Sequence, residues 1–133
     1  MPLVRITLAK GKTPEYLKAV SDTIYSTMRE HFVLAEGDKF HIFEQLEPGA
    51  FIYDPDYAVQ EPRTDDFMII QIISDARRAD EKAATIKALC ENLGTTLGVK
   101  SQDVVVVLST ISTLEDFSLG HGISATTAAA APA

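Results

Sequence analysis

Met1-Pro2-Leu3-Val4-Arg5-Ile6-Thr7-Leu8 opens the chain. Val4, Ile6 and Leu8 alternate with Arg5 and Thr7, the period of a strand with one buried face. Pro2 fits the first residue of a strand, because it has no N–H to withhold from the ladder. If Met1 is removed, Pro2 carries a free secondary amine at the tip of that strand, a candidate acid, base or nucleophile. If Met1 stays, Pro2 is an ordinary amide. A free α-amino group titrates near about 8; an apolar pocket would lower that value and a nearby carboxylate would raise it.

Working outward, Thr13-Pro14-Glu15 is a helix start: a capping hydroxyl, a proline at the first helical position and an acid in the first turn. Leu17, Val20, Ile24, Met28 and Phe32 then recur at helical spacing, and the helix runs to about His31. Leu34 to Asp38 breaks it. Lys39 to Gln45 reads as a second strand with Phe40, Ile42 and Phe43 as its inward candidates. Residues 47–66 form a long connection holding Pro48, Pro55, Pro62, Gly49, Phe51, Tyr53 and Tyr57; a loop of this length in a compact domain usually has a function. Phe67 to Ile73 is a nearly continuous apolar run, expected to be a central strand buried on both faces. A second helix spans about Ala79 to Leu97, with Ile86, Leu89, Cys90, Leu93 and Leu97 on one face and Gly98 as its stop. Asp103 to Leu108 is a fourth strand. The Ala-rich segment 124–133 is low-complexity and expected to be disordered.

The order strand-helix-strand, loop, strand-helix-strand is one β-α-β unit written twice, in halves of about 2–46 and 67–123 within a single domain of residues 1–123. A helix between two strands of one sheet implies a parallel pair in each half. The expected fold is α+β: a four-stranded mixed sheet with two helices on one face. The other face then lies bare, and the apolar runs 67–73 and 104–108 predict that it is buried in a closed homo-oligomer.

Composition narrows the function. At 133 residues the chain is long enough for a core, and 46% apolar with 23% charged residues is ordinary for a globular domain. A net charge of −7 argues against a nucleic-acid-binding face. The single Cys90 excludes an internal disulfide and suits a reducing compartment, so a cytoplasmic protein is expected. No apolar run has transmembrane length, and no membrane partner is expected. His31, His41 and His121 show no metal-ligand spacing, so no metal is expected. The sequence holds neither a phosphate loop nor a dinucleotide fingerprint, and no cofactor is expected.

Pro2 opening a strand, the doubled unit, Gly11-Lys12-Thr13, Gly37-Asp38, Gln71-Ile72-Ile73-Ser74, Ala76-Arg77, Asp103-Val104-Val105 and the turn Asp116-Phe117-Ser118-Leu119-Gly120 together resemble the tautomerase superfamily, whose catalytic group is an amino-terminal proline. The resemblance runs from Pro2 to about Ile123 and is greatest to the fused, double-length members of the malonate semialdehyde decarboxylase type. It implies a homotrimer and a cofactor-free enzyme on a small carboxylated carbonyl substrate, an oxo or enol acid. Tautomerisation is the activity expected, with decarboxylation or hydration as the specialised alternative and a non-catalytic trimeric binding module as the alternative outside catalysis.

The same resemblance makes Pro2 the catalytic base or acid. It makes Asp38 the carboxylate that activates water or holds the charge of Pro2; read alone, Asp38 is a turn residue before a strand. Arg77 matches the arginine that grips the substrate carboxylate, a task suited to a guanidinium fork beside a helix N-terminus. Phe117 and Leu119 match the apolar wall around the proline, and His121 lies in the same Gly-rich turn. The decarboxylases carry a second arginine two residues before the first, where this chain has Asp75.

Overall fold

The structure, a computed structural model, describes residues 2–111 and 113–130. Met1 lies outside the described residues, and so does the question of its removal; the end of the Ala-rich tail, 131–133, lies outside them too. Four strands, β1 (Pro2–Ala9), β2 (His41–Leu46), β3 (Met68–Ser74) and β4 (Val104–Thr110), form one sheet in the order β2-β1-β3-β4. Pairing is parallel within each half (β1 with β2, β3 with β4) and antiparallel where β1 meets β3. The two long helices, α1 (Pro14–His31) and α2 (Ala79–Leu97), pack against each other over the sheet. The doubled β-α-β reading and the mixed sheet with two helices are therefore observed.

Local chemistry explains the boundaries. Thr13 Oγ1 accepts the Tyr16 N–H at 3.1 Å and starts α1, with Pro14 next to it. The Glu81 carboxylate accepts the Arg78 N–H at 3.0 Å at the start of α2. Gly98 ends α2 at φ 70°, a left-handed conformation that costs glycine little. Val4, Ile6 and Leu8 of β1 and Met68, Ile70 and Ile72 of β3 point to the helices and meet Val20, Ile24, Met28, Leu89 and Leu93. Each such side chain, fully buried, contributes about 1.5–3 kcal/mol of hydrophobic free energy before entropy is counted.

Several expectations need correction. Of the three apolar candidates at β2 only Phe43 packs inward; Phe40 and Ile42 remain 44% and 41% exposed. The register decides this: Val4 pairs with His41 and Ile6 with Phe43, so Ile42 lies beside Arg5 on the outer face. His41 is half-buried on the helix side, its Nδ1 2.7 Å from Ser21 Oγ. In α2 the buried residues are Thr85, Ala88, Leu89 and Leu93, whereas Ile86 is 40% exposed, so the face is rotated from the expected one. Cys90 is half-buried with its Sγ 3.8 Å from the Ser101 carbonyl, and burial pushes its thiol pKa up, away from reactivity. Asp103, expected at the head of β4, lies in a 3-10 turn (Ser101–Asp103). Ala125–Ala130 form a short helix, α3.

The outer sheet face is less apolar than expected. Leu3, Ile42, Ile69, Ile73, Val105 and Val107 share it with Thr7, Gln71 and an ion pair, Arg5 Nη1 to Glu44 Oε2 at 3.3 Å. The β3 residues on this side are half-buried in the single chain, not covered on both faces.

His41 makes the fold pH-sensitive. Burial first, and the Lys39 charge second, lower its pKa from 6.5 to about 4. The unfolded chain then takes up a proton before the folded one does, so stability present above about pH 6.5 is lost as pH falls toward 4. Replacing His41 with Gln is expected to flatten this acid limb, and the melting temperatures of both proteins at pH 7 and pH 5 measure it.

Candidate functional site

Topology gathers the sequence-selected polar residues at one end of the sheet. β1 starts at Pro2, and β2, parallel to it, enters from the same end just after Asp38. β3 runs the other way, so its last residue, Ser74, stands opposite Pro2, and the connection Asp75-Ala76-Arg77 follows. β4 leaves at this end as well, where the Ile111 N–H donates to the Ser74 carbonyl at 2.9 Å. Pro2 is buried at this end of the sheet.

Arg77 is the most tightly held of the group, with its side chain 13% exposed. Its Nε donates to the Phe32 carbonyl at 3.0 Å, and its guanidinium lies 4.7 Å from the Phe32 ring centre. Phe32 caps the C-terminal end of α1, where carbonyls lack helical partners and a cation is favoured. Arg77 Nη1 donates to Asp75 Oδ1 at 2.8 Å and to the Ala76 carbonyl at 3.1 Å. The Nη2 nitrogen takes no part in these bonds. Arg78 points elsewhere: it pairs with Asp80 at 3.0 Å and is 73% exposed. Of the two arginines, Arg77 is the one turned toward the junction.

The segment between α1 and β2 positions Asp38. Val33 adopts φ 52°, an uncommon conformation for a β-branched residue and a local strain. It turns the chain directly after the carbonyl that Arg77 uses. Gly37 follows at φ 82°, its N–H donating to the Tyr25 hydroxyl at 2.7 Å. Asp38 is half-buried, with Oδ1 shielded from solvent. Phe32, Ser74 and Ile111 are parts of this site that sequence reasoning missed. Two of them contribute a backbone carbonyl and one an N–H, which no residue type announces.

The C-terminal turn is less tied to this end. Phe117 is half-buried and its carbonyl accepts the Ala125 N–H at 2.9 Å; Ser118 pairs with Ser124. Leu119 is 61% exposed, and His121 is exposed at φ 60°. Among the described residues no hydrogen bond links this turn to Pro2 or Arg77. A wall made by Phe117 and Leu119 is thus not formed by hydrogen bonding within the chain.

A cleft of about 510 Å³ opens at the opposite end of the sheet, lined by Lys10, Gly11, Lys12, Phe51, Tyr53 and Asp65 among others. Its cations are engaged: Lys10 pairs with Glu47 at 2.7 Å, and Lys12 pairs with Asp66. The hydrogen bond from Lys12 to Asp66 is the main reason that the Lys12 pKa is raised. Among the described residues no three His, Cys, Asp or Glu side chains are grouped so as to hold a metal ion, and no helix is long and apolar enough to cross a membrane.

The chain belongs to the tautomerase enzyme family, whose models match residues 38–120 and residues 2–60. The Bacillus subtilis (strain 168) protein "Probable tautomerase YusQ" is 33% identical over 123 residues, covering 92% of this chain and 95% of its own length. "Probable tautomerase YrdN" of the same organism is 26% identical over 106 residues, covering 80% of this chain and 81% of its own. Among solved structures, malonate semialdehyde decarboxylase superposes with a TM-score of 0.88 at 25% identity, covering 96% of this chain and 97% of that one. A fused 4-OT protein, solved as a symmetric trimer, shares the fold with a TM-score of 0.76 at 21% identity, over 95% of this chain and 98% of that one.

Proposed function

We propose that this chain is a cofactor-independent acid–base catalyst for small oxo or enol carboxylic acids, with the Pro2 amine, freed of Met1, as the proton-transferring group. The observation that carries this reading is the juxtaposition at one sheet end of buried Pro2, half-buried Asp38 and anchored Arg77. Ketonisation of an enol acid needs a proton removed from oxygen and one delivered to the far carbon of the C=C bond, which becomes the carbon beside the new carbonyl, and a positioned amine can move them. Arg77 Nη2 holds the substrate carboxylate; Asp38 tunes Pro2 or activates water. Phe117, Leu119 and, more remotely, His121 complete the apolar side of the site. The bare sheet face, with Leu3, Ile42, Ile69 and Val107, is covered by neighbouring copies in a closed homotrimer, in keeping with the trimeric fused 4-OT neighbour.

The likeness to malonate semialdehyde decarboxylase favours decarboxylation or hydration as a second reading. Asp75 beside Arg77 opposes it, because a carboxylate stands where those enzymes have a second arginine. The test is turnover of phenylenolpyruvate and of malonate semialdehyde by the untagged protein. Faster ketonisation of phenylenolpyruvate than in buffer, with little or no loss of CO₂ from malonate semialdehyde, is expected. No turnover across a panel of oxo and enol acids would sink the enzymatic reading and favour the binding module.

A further inference from the structure

We infer that Asp75 sets the substrate class of the Pro2 end, by engaging Arg77 Nη1 so that one substrate carboxylate is met by Nη2 alone. The inference rests on the reading of Arg77 as the carboxylate-binding residue. A guanidinium offers two edges for bidentate binding, one from Nε and Nη2 and one from Nη1 and Nη2. The first edge is lost because Nε donates to the Phe32 carbonyl at 3.0 Å. The second is lost because Nη1 donates to Asp75 Oδ1 at 2.8 Å and to the Ala76 carbonyl at 3.1 Å. Only Nη2 stands outside these bonds, so an incoming carboxylate meets a single nitrogen.

Charge reinforces the geometry. The Asp75 and Arg77 side chains are 34% and 13% exposed, so water screens the pair only in part, and it presents little net charge to an approaching anion. Arg77 is also stacked on Phe32 and fixed at Nε, so it does not swing away from Asp75 without breaking a second anchor. The nearest cation in sequence, Arg78, is 73% exposed and engaged by Asp80. A second carboxylate on the substrate would therefore find Asp75 rather than a partner. The substrate class is a monocarboxylate whose remaining part is neutral, and dicarboxylates are rejected.

Asp75→Ala removes the carboxylate from Nη1, which keeps its bonds to the backbone carbonyls of residues 75 and 76, and Asp75→Asn removes the charge while keeping the shape. Removing the competing carboxylate beside the guanidinium is expected to lower KM for phenylenolpyruvate about tenfold in Asp75→Ala, with kcat within about twofold. The enol of methyl phenylpyruvate, which lacks the carboxylate, should keep its KM within about twofold. Asp75→Asn should fall between wild type and Asp75→Ala, and Asp75→Glu should restore the wild-type ratio of the two substrates. Calorimetric binding of phenylpyruvate to wild type and Asp75→Ala reads the same effect without turnover, and should tighten about tenfold. Equal responses of acid and ester, weaker phenylpyruvate binding in Asp75→Ala, or no binding to either protein would each overturn the inference. Tighter binding in a protein that turns nothing over would uphold it and refute the enzymatic reading. Turnover that depends on Pro2, with an unchanged acid-to-ester ratio, would refute the inference and leave that reading intact.

Discussion

Pro2→Ala is expected to lower kcat/KM for ketonisation of phenylenolpyruvate by about a hundredfold or more, the range that general acid–base groups contribute. The reason lies in where the nitrogen sits. Pro2 is the first residue of β1, buried and paired opposite Ser74, the last residue of β3. Its ring fixes the direction of the amine; alanine would leave a primary amine that rotates and is more heavily hydrated. The fold should tolerate the change. Proline at this position gives no N–H to the ladder, and the Ser74 carbonyl beside it already accepts from Ile111. A melting temperature close to that of wild type, alongside the lost activity, would assign the effect to chemistry. Retention of full activity in Pro2→Ala would remove Pro2 from the mechanism.

The second large effect is on stability and comes from Asp103, whose side chain is fully buried. Its two oxygens accept from the Thr64 N–H at 2.7 Å and the Thr64 hydroxyl at 2.6 Å. This pair fastens the long connection of residues 47–66 to the entry of β4. The same connection is filled by a cluster of Phe51, Tyr53 and Phe67, with the Tyr53 hydroxyl donating to the Thr64 carbonyl at 2.8 Å. Asp103→Ala leaves the Thr64 N–H without its acceptor in a part-buried place, an expected cost of about 3 kcal/mol. The melting temperature should fall by roughly 10 °C for a chain of this size. Thr64→Val should cost less, and the double variant little more than Asp103→Ala alone, since both changes break one unit. Because this fastening lies at the end of the sheet away from Pro2, kcat measured well below the transition should stay within about twofold. A large loss of kcat at full foldedness would place the loop in the site.

Much of the architecture was legible because it is written in local signals. Thr13-Pro14 and Gly98 mark helix ends by capping chemistry, and the periods of β1 and β3 mark their buried faces. The doubling of the unit then made the parallel pairs predictable. The face of β2 was not legible, since Phe40, Ile42 and Phe43 are all apolar and only the register with β1 selects among them. The burial of His41 depends on Ser21, and the role of Asp103 depends on Thr64, both partners distant in sequence. The candidate site shows the same divide. Pro2, Asp38 and Arg77 were selected as residue types in matching places. That Arg77 would spend Nε on the Phe32 carbonyl and Nη1 on Asp75 is a matter of side-chain geometry that spacing alone does not encode. The C-terminal turn was expected around Pro2, yet within one chain its hydrogen bonds are internal.

The central claim is that the nitrogen of Pro2 is a free amine which gains and loses the proton that the reaction moves. A ¹⁵N NMR titration of Pro2 in the native protein measures this directly, alongside the pH dependence of kcat/KM for phenylenolpyruvate. The expected result is a resonance that titrates with a single pKa between roughly 6 and 10, coinciding with one limb of the kinetic profile. A proline nitrogen that shows no titration in an active protein, or titrates at a pH where the rate does not change, would contradict it.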